Sequence, residues 1–185
     1  DGQWGRQLSA RRPASYLQHV RLRIPAVLMS VVFFTAMATA ASAGDKAYGP
    51  GVTDSEIKIG NIAPYSGPAS AYSLIARTEA AYFKMINDQG GINGRKINFI
   101  SYDDGYSPPK AVEQARKLVE SDEVLALFGT IGTASNSAIQ TYMNRKKVPQ
   151  LFVGSGARRF ADPKHFPWTM GWQPDYHTED RKSVV

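Results

Sequence analysis

Three short stretches carry residue types suited to holding a small molecule: Ser66-Gly67-Pro68 followed by Tyr72, then Gly132-Thr133-Ala134-Ser135, then Gly154-Ser155-Gly156. Small residues let a ligand approach the backbone, and hydroxyls both donate and accept hydrogen bonds. A helix that starts at such a turn also offers free N–H groups to a carboxylate. Taken singly, each loop reads as an ordinary strand-to-helix turn or cap. Three on one sheet edge leave both readings open.

Other chemistries find less support. Gly154-Ser155-Gly156 follows a strand-like run, but a dinucleotide fingerprint would need a third small residue where Arg159 stands. Gly129-Thr130-Ile131-Gly132 fails in the same way, and no G-x-x-x-x-G-K-[ST] loop is present to cradle phosphates. Asp103-Asp104 could be a metal-binding or acid–base pair, yet adjacent residues in an extended chain point to opposite sides. They read instead as the end of a strand and its turn. His19, His165 and His177 have no ligand spacing, and no G-x-S-x-G elbow exposes a serine. The expectation is a binding protein rather than an enzyme, with no catalytic residue, cofactor or metal.

The elements that must position these loops alternate regularly. Ile57 to Ile62 reads as a strand, ending at Pro64-Tyr65-Ser66-Gly67-Pro68. A helix follows from about Ala69 to Gln89, with Leu74, Ala81, Tyr82, Met85 and Ile86 at helical spacing and Gly90-Gly91 closing it. Arg95 to Tyr102 is a second strand, and Pro108-Pro109 open a helix to about Ser121, where missing N–H groups cost nothing. Val124 to Phe128 is a continuous apolar run, the pattern of a strand buried on both faces. A helix from about Ser135 to Arg145 and a strand from Gln150 to Val153 complete the alternation, with Phe166 to Met170 as a candidate fifth strand. Arg145-Lys146-Lys147 reads as a solvated last helical turn, where cations suit the negative end of the dipole. This order predicts an α/β fold: an open parallel sheet with helices on both faces.

Charge and composition place the chain further. Residues 1–43 hold five arginines against Asp1 alone, so that segment carries +4 and leaves +2 of the chain's +6 for residues 44–185. The basic character is a leader effect, and nucleic acid is not an expected partner. Arg21-Leu22-Arg23, an apolar run from Ile24 to Ala41, and Ala41-Ser42-Ala43 read as a secretory signal in preference to a membrane-spanning helix, with cleavage expected between Ala43 and Gly44. Residues 1–20 exceed an ordinary n-region. The absence of cysteine excludes disulfides, thiolate metal sites and a lipid-attached mature N-terminus. The expected organisation is a leader (1–43), an α/β ligand-binding lobe (44–176) and an irregular, truncated end (177–185).

The stretches IKIGNIAPYSGPASAY, INDQGGINGRKINFISYDDGYSPPKAVEQARKLVESDEVLALFGTIGTASN and VPQLFVGSGA resemble the first lobe of Leu/Ile/Val-binding-type periplasmic solute-binding proteins. The likeness spans Glu56 to about Tyr176. It implies one of two α/β lobes that close over a ligand and deliver it to an ABC permease in the inner membrane. It further implies that Tyr72 lines the pocket and that Thr133 holds the ligand's α-carboxylate, with Gly132 and Ala134 beside it. Gly154 and Ser155 would contact the ammonium and carboxylate. The resemblance thus implies a periplasmic amino-acid-binding role. Two departures bear on the ligand: Gly156 stands where amino-acid binders carry Thr or Ser, and Trp168 and Trp172 make the later segment aromatic. An aromatic carboxylate, amide or urea is the alternative cargo, and a ligand-sensing receptor domain the alternative role. The tryptophans read either as lobe-core packing or as ligand stacking. A single lobe is expected to bind weakly or not at all.

Overall fold

The computed structural model describes residues 47–182, so the expected leader and the cleavage site at Ala43 and Gly44 lie outside the described residues. Strand β1 (Glu56–Ala63) leads through a single 3-10 turn at Ser70–Tyr72 into α1 (Ser73–Asp88). Next come β2 (Lys96–Asp103), α2 (Pro108–Glu120), β3 (Ala126–Phe128), α3 (Thr133–Lys146) and β4 (Gln150–Val153). A 3-10 turn at Arg158–Ala161 precedes β5 (Thr169–Gly171) and α4 (Tyr176–Lys182). The five strands form one sheet in the order β2-β1-β3-β4-β5, and every pairing is parallel. Parallel neighbours require crossovers, which the helices supply.

Each face of the sheet has its own core. On one, Ile62 and Leu127 pack against Ala111, Ala115 and Leu118 of α2 and Ile139, Tyr142 and Met143 of α3. The Tyr142 hydroxyl donates to Glu120 (3.0 Å), and Lys146 pairs with the same carboxylate (3.0 Å), locking the two helices together. Arg145 and Lys146 do occupy the last turn of α3. On the other face Phe83 of α1 meets Phe99 (5.1 Å between centroids) and Phe128 (5.4 Å), and Phe128 in turn meets Phe152 (5.1 Å). Offset and edge contacts of this kind add to the area buried.

Two sequence expectations require correction. The buried side of α1 is Ser73, Ala76 and Phe83, whereas Leu74, Tyr82 and Met85 are exposed. The helix is apolar on more than one side, so spacing alone does not choose its inner stripe; the aromatic pairing of Phe83 does. Residues 177–185, expected to be irregular, are helical through Lys182. Asp175 starts that helix, its Oδ1 accepting the Thr178 N–H (3.0 Å), and Glu179 lies in the first turn, where an acidic side chain suits the dipole.

Candidate functional site

Sheet order dictates where a site can form. The chain runs outward from β1 on one side to β2 and on the other to β3, so the strand order reverses at β1. The crevice beyond the carboxyl ends of β1 and β3 is therefore the topological switch point. Ligands of open α/β sheets bind in such crevices.

The loops leaving β3 and β4 are zipped together there. Gly154 N–H donates to Thr130 O (2.8 Å) and Gly132 N–H to Gly154 O (3.1 Å). Gly132 has φ 101°, a conformation that disfavours any side chain, and a Cβ there would come 2.3 Å from the Tyr106 ring. Glycine at this point both turns the chain into α3 and lets Tyr106 lie against it. With Gly132 as N-cap there is no side-chain cap on α3, so its first N–H groups face outward without an intrahelical partner.

Asn136, buried at the first turn of α3, holds the loop from within. Its Nδ2 donates to Thr130 O (2.9 Å) and Gly132 O (2.8 Å), while its Oδ1 accepts from Gln150 Nε2 (2.7 Å) and from the Thr130 hydroxyl. These bonds fix where Thr133 stands. Thr133 Oγ1 and Ser155 Oγ are then 2.6 Å apart, and the Tyr176 hydroxyl lies 3.2 Å from the first and 3.5 Å from the second. Hydrogen bonds from Ser155 and Thr133 draw the Tyr176 phenol below the ordinary tyrosine value.

Above this corner opens a cleft of about 500 Å3, within the range of small-molecule sites. Gly132, Thr133 and Gly154 form its polar floor, with Ile75 and Ile131 beside them. Tyr72, Tyr106, Trp172 and Tyr176 make its walls, and Gln173, Pro174 and Glu179 its remaining rim. Tyr72 and Trp172, both lining the cleft, are 58% and 60% exposed.

The structure thus brings together Tyr72, Gly132, Thr133 and Gly154. Ser155 is buried beneath them and reaches the corner through Thr133, whereas Ala134 is exposed but does not line the cleft. Sequence reasoning did not assign Tyr106, Tyr176 or Glu179 to the site. Trp172 is exposed and lines the cleft, while Trp168 does not, its backbone N–H bonded to Asn144 Oδ1 (2.9 Å).

The acidic pair of β2 belongs elsewhere. Asp103 accepts the N–H groups of Tyr65, Ser66 and Gly105 at Oδ1, and the Ser66 hydroxyl (2.6 Å) and Lys110 Nζ (3.1 Å) at Oδ2. Burial opposes ionisation there, but the bonds from Ser66, Gly105 and Lys110 outweigh it and hold the carboxyl far below the usual range. Asp104 turns the opposite way into the core, accepting the Tyr106 N–H (2.9 Å) and the Ser135 hydroxyl (2.5 Å). Both carboxylates are occupied by the protein itself, as a turn requires. Among the described residues no group of three or more His, Cys, Asp or Glu could hold a metal ion.

Comparison with known proteins places the fold in a family. The family model described as periplasmic binding protein matches residues 56–179. Leu/Ile/Val-binding protein homolog 7 of Brucella suis biovar 1 (strain 1330) is 28% identical over 115 residues, covering 62% of this chain and 29% of its own length. A possible leucine/isoleucine/valine-binding protein from Rhodopirellula baltica SH 1 superposes with a TM-score of 0.65 at 22% identity, over 76% of this chain and 37% of that one. The fatty acid ABC transporter substrate-binding protein from Thermomonospora curvata gives 0.53 at 30% identity, over 59% and 28%. The chain spans about a third of the length of the proteins it matches.

Proposed function

Because the chain belongs to the periplasmic binding protein family, we propose that it is the ligand-binding lobe of the substrate-binding component of an ABC importer. Its cargo in this reading is a branched-chain or related amino acid captured in the periplasm for an inner-membrane permease. The observation that carries the reading is the corner at the switch point. Thr133 stands at the uncapped start of α3 on the floor of a small-molecule-sized cleft, its hydroxyl paired with that of Ser155 beneath it. Free N–H groups and hydroxyl donors aimed at one point suit a carboxylate. Glu179 at the rim offers a negative charge to an ammonium group. The similarity to a Leu/Ile/Val-binding homolog and to an ABC transporter substrate-binding protein supports the same role.

Four aromatic walls favour a second cargo. Tyr72, Tyr106, Trp172 and Tyr176 present more ring surface than an aliphatic side chain needs, which suits a flat aryl carboxylate. One nuclear magnetic resonance titration separates the two. With millimolar L-isoleucine or benzoate, the amides of Gly132, Thr133 and Gly154 are expected to shift, and Thr133→Val to abolish the shift. Perturbation confined to other residues, or none with either compound, overturns the role; a response to benzoate alone selects the aryl cargo.

A further inference from the structure

The corner holds a third hydroxyl that arrives by an unexpected route. Position 156 carries no side chain, and a Cβ there would lie 2.6 Å from both the Tyr176 ring and the Pro174 carbonyl. The ring of Tyr176 therefore occupies the space a side chain at 156 would take. The Tyr176 N–H donates to Gly156 O (2.9 Å), which seats the ring there, and its hydroxyl reaches the Thr133–Ser155 pair.

We propose that Tyr176 is a ligand-binding residue, its phenol joining Thr133 and Ser155 in a three-hydroxyl anchor for the oxygens of a carboxylate, and that glycine at 156 is what admits it. The inference rests on the carboxylate-binding reading above and adds a residue to it. Three hydroxyls that now share their hydrogens among themselves can each turn one outward, and a carboxylate offers about four lone-pair sites to receive them. Bonds of this charge-assisted kind are stronger than the neutral ones they replace. The cluster already favours negative charge on oxygen, since it draws the Tyr176 phenol toward its ionised form.

The test compares the 185-residue chain with Tyr176→Phe and Gly156→Ser by calorimetric titration with benzoate and with L-isoleucine. Tyr176→Phe keeps the ring packing and removes one donor, so affinity for whichever probe binds is expected to fall about tenfold. Gly156→Ser displaces the ring and is expected to weaken binding at least as much; circular dichroism checks that each variant folds. Unchanged or tighter binding by Tyr176→Phe overturns the inference and leaves the carboxylate reading intact. Failure of the parent to bind either probe even at high millimolar concentration, where the weak affinity expected of a single lobe would still register, overturns that reading and this inference with it. Ultraviolet titration supplies a separate readout. A bound carboxylate beside the phenol should raise the ionisation pH of one tyrosine in the parent, and that component should vanish in Tyr176→Phe. No such rise in a parent that binds the probe also overturns the inference.

Discussion

The turn after β2 and the corner before α3 flank β1 on either side, and both are built from small polar residues at strand ends. At the first, each acidic side chain is fully engaged: five donors converge on Asp103 and two on Asp104. At the second, the Thr133 and Tyr176 hydroxyls bond only each other and Ser155, which also takes the Ala157 N–H (3.2 Å), beneath an open cleft. Residue type does not separate them; the fraction of hydrogen-bonding capacity left for an outside molecule does. The two are also coupled, because the Ser135 hydroxyl that Asp104 accepts belongs to the same first turn of α3 as Thr133. The saturated cluster aims the open one.

Removing Asp104 should break this relation most severely. The carboxylate is 0% exposed and accepts two hydrogen bonds, so Asp104→Ala is expected to cost about 3 kcal/mol in chemical denaturation. It should also loosen Thr133, seen as a loss of amide-exchange protection at the start of α3.

Glu79 sharpens the contrast, being neither saturated nor open. It lies against the Cα of Gly129 and receives one bond, from Asn61 Nδ2 (3.2 Å), and burial pushes its carboxyl up to about 8 from 4.5. A raised folded-state value means the native chain holds a proton that the unfolded chain has released. The contribution of Glu79 to stability should therefore be full below pH 4.5 and be lost as pH rises through about 8. Thermal melts across that window are expected to show the decline, and Glu79→Gln to flatten it. An equal slope in both proteins would remove Glu79 as its cause.

The smallest effect on stability belongs to the open corner. Thr133→Val keeps the shape and removes a hydroxyl bonded only to other hydroxyls, so the loss should stay under about 1 kcal/mol in the same denaturation assay. A larger loss would place Thr133 with the saturated cluster.

Much of this was legible beforehand. Glycines, prolines and alternating apolar runs located all five strands to within a few residues, because turn chemistry and pleat period are local. Thr133, Ser155 and Gly154 stood out because strand-end loops converge once the sheet is parallel. Tyr106, Tyr176 and Glu179 did not, since they reach the cleft by tertiary folding: Tyr106 by lying on Gly132, Tyr176 by filling the gap at Gly156. The inner stripe of α1 also escaped notice, because its choice depends on Phe99 and Phe128, supplied by strands further along the chain. The terminal helix had a readable signal in Asp175 and Glu179, the pattern of a capped start.

The strand order also bears on the sequence of assembly. β1 is central, β2 and β3 add to its two edges, β4 adds to β3, and β5 adds to β4. Every strand therefore docks onto a neighbour that precedes it in the chain. Closing each crossover loop costs entropy, yet at each step the template edge already exists. A polypeptide made available from its N-terminus can thus build this sheet continuously, with no early strand left waiting on the last one to arrive.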